Sequence, residues 1–365
     1  MKIFIQLFIL FISGIFTSVY PQNNLKTELK DFDFVVHEIE HNYSGYAFKV
    51  KGDNKRKYRN LKKSLRKQII KENRNGVDAA SELVGWFNDL HFSLGSVDFH
   101  SGNYMTKKHK DYSLLIKDYN PQFVASKVTD KTFLIRIPHY AHTDSVKNFI
   151  DGAVNQFKQS GCKNLIIDER KNPGGSSDMF MPLVYLAADH CGQFYSYKWL
   201  NTKDNRNFID TSWREEYPEL TQKIVAQMDA SKDKYVVMDN DSLYTIDSIN
   251  TSPLPENIAV IIDNNVASSG EFLIVFLNAC SNRFKVYGKE NTIGCLDFAN
   301  AKRMILPSRR GGMNVPVTCP VFDNFIDNTG IAPEVIIPLD YPEQLTDNID
   351  SWVIWTAKDM ESNSR

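Results

Sequence analysis

The chain has 365 residues, of which 42% are hydrophobic and 24% charged, and its formal net charge is −1. That length is enough for a sizeable core and two domains. The composition excludes a disordered or fibrous chain, and the near-zero charge singles out no class of partner.

Residues 1–20 read as a secretory signal. Lys2 supplies a short positive region, and the stretch from Ile3 to Val19 carries no charge. Ser18 and Tyr20 give no clean small-x-small cleavage site, so the alternative is an uncleaved anchor. Either way the mature chain is expected to be exported, periplasmic or secreted, and to meet a membrane only if the segment is retained. The five cysteines, Cys162, Cys191, Cys280, Cys295 and Cys319, are spaced too irregularly for a disulfide framework or a zinc ribbon. Bridges and buried thiols both stay open.

Residues 21–95 are expected to form a helical domain. Leu29, Phe32, Val36 and Ile39 recur at helical spacing, a second helix spans about 61–70, and a third spans 77–90. The first helix contains His37-Glu38-Ile39-Glu40-His41, a literal His-Glu-x-x-His, which in zinc peptidases sets two imidazoles on one helical face. A third ligand ten residues after His37 would fall on Ala47. The basic stretch 49–74 carries Leu61, Leu65, Ile69 and Ile70 at helical spacing. It reads as an amphipathic helix with a solvated basic face. Nothing in it argues for nucleic acid, which would want aromatic interleaving or a known motif. Asp89-Leu90-His91 closes the third helix, where a histidine ordinarily caps carbonyls.

Residues 96–131 are a short connecting segment with Gly102, Asn103 and Pro121 as breakers. From Thr132 to about residue 345 strands and helices alternate. Strands are expected at 132–137, 164–168 and 258–262, with helices at 145–159 and 179–188. Residues 200–250 look like an insertion with a helix near 213–228 and a hairpin from Tyr235 to Ile246. Shorter strands follow near 285–288, 303–306 and 314–318, and residues 346–365 carry a closing helix and tail. The expected class is α/β, a mixed sheet core with an N-terminal helical domain.

Two stretches inside the core carry chemistry. Asp168-Glu169-Arg170-Lys171-Asn172-Pro173-Gly174-Gly175 leaves a buried strand through a tight turn whose backbone can approach a ligand closely. Val266-Ala267-Ser268-Ser269-Gly270-Glu271 sits between the 258–262 strand and the apolar segment 272–277. It puts a serine at a strand-to-helix turn, where free N–H groups can hold an anion. By itself Ser268-x-x-Glu271 is equally a helix capping box.

Together these stretches resemble the tail-specific (C-terminal processing) serine protease family. Its Asp-x-Arg-x-Asn-x-Gly-Gly turn matches Asp168, Arg170, Asn172, Gly174 and Gly175. Its small-Ala-Ser-x-x-Glu segment matches Ala267, Ser268 and Glu271. Its Gly-x-x-Thr-x-Gly turn resembles Gly288 to Gly294 with one extra residue, and its closing Gly-Val-x-Pro-Asp is echoed by Gly330-Ile331-Ala332-Pro333-Glu334. The resemblance implies a crotonase/Clp-protease-like core and a serine-type peptidase. The position of the family's catalytic lysine is Cys295, with Lys289 on the other side of the threonine, and the connecting segment is too short for a PDZ domain. That pattern is similar to the tricorn-like branch, in which an Asp-x-His segment supplies the base. The resemblance thus implies Ser268 as nucleophile, His91 as base, Asp327 orienting His91, and an oxyanion hole from Ser269 and Gly174 or Gly175. No cofactor or metal is implied, and the partner is a peptide or unfolded protein. The alternatives are a non-catalytic relative binding peptides or apolar ligands in the same cleft, a zinc peptidase using His37 and His41, and a crotonase-like acyl-CoA enzyme. Oligomeric state is left open.

Overall fold

The computed structural model describes residues 22–95, 112–190, 197–215, 217–237, 253–321 and 325–363. The expected signal segment, Cys191 and most of the expected hairpin after Val237 lie outside the described residues. Among the described residues, no helix is long and apolar enough to cross a membrane.

The N-terminal region holds α1 (Gln22–His37), a π-helical turn at Glu38–Asn42, α2 (Tyr46–Lys49), α3 (Asp53–Glu72), α4 (Gly76–Gly85) and β1 (Ser93–Gly95). After it come α5 (Tyr112–Leu115), β2 (Asp118–Tyr119), β3 (Val124–Lys127), β4 (Thr132–Arg136), α6 (Asp144–Ser160) and β5 (Asn164–Asp168). A 3₁₀ turn (Ser177–Phe180), α7 (Met181–Ala187), β6 (Tyr197–Leu200), α8 (Lys203–Ser212), α9 (Pro218–Ala230) and β7 (Tyr235–Val237) follow. The chain then runs through β8 (Asn257–Ile261), α10 (Ser269–Cys280), β9 (Phe284–Gly288), β10 (Ala299–Ile305), β11 (Gly312–Pro320), β12 (Val335–Ile336), β13 (Gln344–Leu345) and α11 (Ser351–Asn363).

The core is a six-stranded sheet in the order β12-β9-β8-β5-β4-β3, parallel except for the β3–β4 pair. Its central strands are buried on both faces, which is why they read as continuous apolar runs. Side chains alternate between the faces. Leu165, Ile167, Ile258 and Val260 pack with α6, α7 and α10 on one side. Ile166, Ala259 and Ile261 pack with Trp352, Val353 and Ala357 of α11 on the other.

The second sheet has the order β1-β11-β6-β7, with β10 also on β11. It lies against the helical region. Phe32, Leu65, Ile69, Leu83 and Phe87 share one buried cluster with Phe298, Leu306, Met313 and Val315, and Ser93 pairs with Asn314. The N-terminal helices therefore complete their core with strands from the far end of the chain. This pairing brings the turn after α4 to the mouth of the parallel sheet.

That turn differs from the expected helix over 77–90. The helix stops at Gly85, and Asn88 takes a left-handed conformation at φ 47°, so His91 stands on a turn. The expected helix near 213–228 is α9, which Pro218 begins, and a helix not expected from the sequence, α8, precedes it. The four described cysteines are buried free thiols.

Candidate active site

Four segments meet at the carboxyl ends of β5 and β8, where ligands bind in open parallel sheets. Ser268 caps α10 with φ 52° and ψ −117°. This is a strained backbone for a residue with a Cβ, of the kind that holds a nucleophile at a sharp strand-to-helix turn. The turn is held from both sides: Ala267 N–H donates to the Asn172 carbonyl at 3.0 Å, and Ile293 N–H to the Val266 carbonyl at 2.9 Å. Ser268 and Glu271 stand in the expected capping-box relation.

Glu271 does more than cap. Its buried carboxylate accepts from Thr292 Oγ1 at 2.5 Å, Gly294 N–H at 2.6 Å, Cys295 N–H at 2.7 Å and Ser268 N–H at 3.2 Å. It ties the 288–295 turn to the serine. Burial outweighs these donors and pushes its pKa up to about 7. Thr292 in turn accepts from Ile331 N–H at 2.7 Å, which docks the closing Gly330-Ile331 segment.

The Asp168–Asn172 turn is rigid for a different reason. Arg136 and Arg170 both reach Asp168 and Asp350, and all four side chains are buried. Burial pushes the Asp168 carboxyl up, but the two guanidinium groups outweigh it and hold it below the usual range. Asn172 folds back over its own turn, and its Oδ1 accepts from Gly174 N–H at 2.8 Å. Gly174 has φ 97°, and a Cβ there would lie 2.7 Å from Ser269 N and 2.8 Å from Ser268 Cβ, so only glycine fits against the serine. The Gly174 carbonyl accepts from Tyr140 N–H at 2.9 Å. In a trans peptide the next N–H, that of Gly175, points the opposite way. It has no acceptor among the described residues. Ser269 Oγ donates to the Gly175 carbonyl at 2.7 Å and fixes that peptide to α10.

His91 completes the site. Its Nε2 lies 3.1 Å from Ser268 Oγ, and its Nδ1 lies 2.5 Å from the Phe298 carbonyl. Burial pulls its pKa down to about 4, and the Phe298 carbonyl opposes this only in part. The ring is therefore neutral at pH 7. A carbonyl can only accept, so Nδ1 carries the proton and Nε2 is free to accept from Ser268. Asp89 builds the turn: its Oδ1 accepts from His91 N–H at 3.0 Å, and its Oδ2 from Tyr43 Oη at 2.7 Å.

The structure thus brings together Ser268, His91, Ser269, Gly174 and Gly175, and it corrects two expected roles. Gly174 N–H is used within its own turn, which leaves the N–H groups of Ser269 and Gly175 as the candidate donors beside the serine. Asp327 does not hold His91; the Phe298 carbonyl stands in that place. A buried carboxylate goes to a full positive charge in preference to a neutral ring, and Asp327 Oδ2 pairs with Lys49 Nζ at 2.5 Å. Sequence reasoning missed Phe298, whose contribution is a backbone carbonyl, and Lys49, which sits at the head of a basic run.

The remaining candidates fall elsewhere. Cys295, at the family's lysine position, packs with Ala267 and Ile293, and burial pushes its thiol far up. Lys289 reaches the Leu339 carbonyl and Asp340 on the surface. His37 and His41 stack on the π-helical turn at 4.4 Å. His37, Glu38 and Asp204 form a cluster of metal-ligand type, but the Lys302 ammonium stands 2.8 Å from Glu38 and already neutralises it.

Comparison with known proteins agrees with this fold. The model of Peptidase family S41 matches residues 131–337, more than half of the chain. The chain belongs to that family, and it is the peptidase class that the fold and site describe. Among solved structures, mature CPAF complexed with lactacystin shares 12% identity at a TM-score of 0.60, over 93% of this chain and 98% of that one. The CPAF S499A mutant gives 11% and 0.62 over 94% and 99%. A lipoprotein from Streptococcus agalactiae gives 16% and 0.51 over 93% and 97%. No curated protein matches the chain by sequence.

Proposed function

We propose that the protein is an exported serine endopeptidase acting through an acyl-enzyme. The observation that carries this reading is the placement of the His91 ring, with Nδ1 held by the Phe298 carbonyl and Nε2 3.1 Å from Ser268 Oγ. Ser268 Oγ attacks the scissile carbonyl while its proton passes to His91 Nε2. The oxyanion that forms is met by the N–H groups of Ser269 and Gly175, the first at the positive end of α10. His91 then gives its proton to the leaving amine. A water molecule, deprotonated by the same nitrogen, releases the acyl group from Ser268.

A zinc or purely binding role is not favoured: neither needs a serine in a strained turn with a base already oriented toward it. Export rests on the uncharged stretch Ile3–Val19 behind Lys2. The test of activity is hydrolysis of an unfolded protein by the purified chain, followed by mass spectrometry of the fragments. Ser268→Ala is expected to abolish it with the fold intact. Equal cleavage by that variant rejects the assignment. Fractionation of the producing cells tests export, and the N-terminus of the recovered protein tells a signal cleaved near about residue 20 from a retained anchor.

A further inference from the structure

We propose that Lys49 is the positioning residue for the His91 base, clamping the three segments that hold the imidazole. The inference rests on the Ser268–His91 reading. Its basis is what a single ammonium touches. Lys49 Nζ donates to the Phe87 carbonyl at 2.9 Å, on the turn that leads into His91. It donates to Asp327 Oδ2 at 2.5 Å, on the loop before Gly330. It also lies 5.1 Å from the centre of the Phe298 ring, whose own carbonyl binds His91 Nδ1. The same segments are joined beside it: Asn88 Nδ2 donates to Asn328 Oδ1 and Asn328 Nδ2 to the Asn88 carbonyl, both at 2.6 Å, and Asp327 N–H donates to Asp297 Oδ2 at 2.6 Å.

No sequence feature assigns Lys49 this place. It is the last residue of α2, and its side chain is only 15% exposed. Its charge is needed because two carboxylates face it, buried Asp89 and half-buried Asp327. Asp89 anchors the His91 turn, and Asp327 lies close enough to raise its own pKa through Asp89. Burial is the larger cause for both, and Lys49 opposes it in both. The other groups facing Asp327 are Asp297 on the segment before β10, Tyr43 after the π-helical turn, and Cys295. A cleft of about 370 Å³ lined by Asn54, Lys57 and Trp86 opens the pair to solvent. Without Lys49 the Asp89–Asp327 pair has no counter-charge, and the turn and the loop lose their common donor.

The pair also sets a pH dependence distinct from that of the base itself. Asp327 titrates at about 6 and His91 at about 4. Protonating Asp327 weakens its hold on Lys49, so the clamp loosens as pH falls through 6, before His91 gains its proton. Asp327→Asn mimics the protonated state at every pH.

The test is the rate of labelling by a fluorophosphonate from pH 4 to 8, for wild type, Lys49→Met, Asp327→Asn and the double variant. Carbon-13 resonances of the His91 ring are recorded for each. Lys49→Met is expected to label about 10–100-fold slower, the loss that a small misplacement of a catalytic group produces. Asp327→Asn should be slower at pH 7.5, and its rate should lose the step near 6 while keeping the one near 4. The double variant, in which no carboxylate at 327 is left without its cation, keeps the test decisive if Lys49→Met does not fold; it should label as slowly as the slower single variant. Labelling of Lys49→Met, or of the double variant, within twofold of wild type and with an unchanged profile overturns the inference and leaves the Ser268–His91 reading standing. If folded wild type is not labelled at all, that reading fails, and the ring resonances decide the inference. An unchanged His91 signal in all variants rejects it, and a displaced one upholds Lys49 as the group that positions the ring.

Discussion

Replacing Gly174 by alanine is the smallest change that should disable the site. The new methyl would sit 2.7 Å from Ser269 N, 2.8 Å from Ser268 Cβ and 2.9 Å from the Ala267 carbonyl, where ordinary contact begins at 3.4 Å. The three atoms belong to one turn, so the turn must retreat as a unit by the shortfall, about 0.5–0.7 Å (3.4 − 2.9 and 3.4 − 2.7). That movement lengthens the 3.1 Å bond between Ser268 and His91 and displaces the Ser269 donor. A misplacement of about 1 Å costs on the order of 10²-fold, and loss of one oxyanion donor about 10²–10³-fold. Gly174→Ala should therefore label with a fluorophosphonate about 10²–10³ times more slowly than wild type. It also forces an alanine to φ 97°, so stability should fall by about 2–5 kcal/mol from backbone strain and overpacking. Urea unfolding measures the second effect and separates it from the first. A folded variant that labels within about threefold of wild type would refute the reasoning, because the clash would then have been absorbed away from the serine.

Glu271→Gln should destabilise the protein by about 1–3 kcal/mol in urea, because whichever way the amide lies its NH₂ faces a backbone N–H donor in a buried site, Gly294 on one side or Ser268 and Cys295 on the other. The contribution of Glu271 to stability should decline as pH rises from about 4.5 through 7, read as the difference in unfolding temperature between wild type and Glu271→Gln, a comparison in which the opposite contribution of His91 cancels. The folded pKa of Glu271 lies above its ordinary value, so the folded state holds the proton more tightly, and the stability this supplies at low pH is lost as pH climbs. A difference that stays flat from about pH 5 to 8 would show that Glu271 takes up no proton in that range. Cys295→Ala should label within a few-fold of wild type, since the thiol is buried and neutral; a hundredfold loss would implicate it as the base. Zinc chelation and the double change His37→Ala, His41→Ala should leave labelling unchanged, and a loss in either would revive the metal reading.

Much of this architecture was legible in the residues. The strands at 132–136, 164–168 and 257–261 are apolar runs bounded by breakers, and burial on both faces makes such runs unambiguous. Ser268 and the glycine turn were found by motif, and the geometry explains the motif: Gly174 is required by contact with Ser268, and Glu271 by four donors. His91 was legible from Asp89-Leu90-His91, although its helix ends at Gly85 because Asn88 turns left-handed. What the sequence hid is tertiary. Phe298 acts through its backbone, which no side chain announces. Lys49 looks like one more cation in a basic stretch, and only the folded chain shows Asp327, from 278 positions away, beside it. Asp327 was expected to orient the base, but its partner is that lysine. The helical segment reads as a unit apart from the strands near 314–318, yet Ser93 pairs with Asn314, a contact set by long-range packing alone.

The central claim is that a neutral His91 activates Ser268, and the most direct measurement is intact-mass analysis after fluorophosphonate treatment of wild type, Ser268→Ala and His91→Ala. The account predicts a single adduct on wild type, mapped to Ser268, and none on either folded variant. An adduct that persists in Ser268→Ala, or a well-folded wild type that takes none, would contradict it.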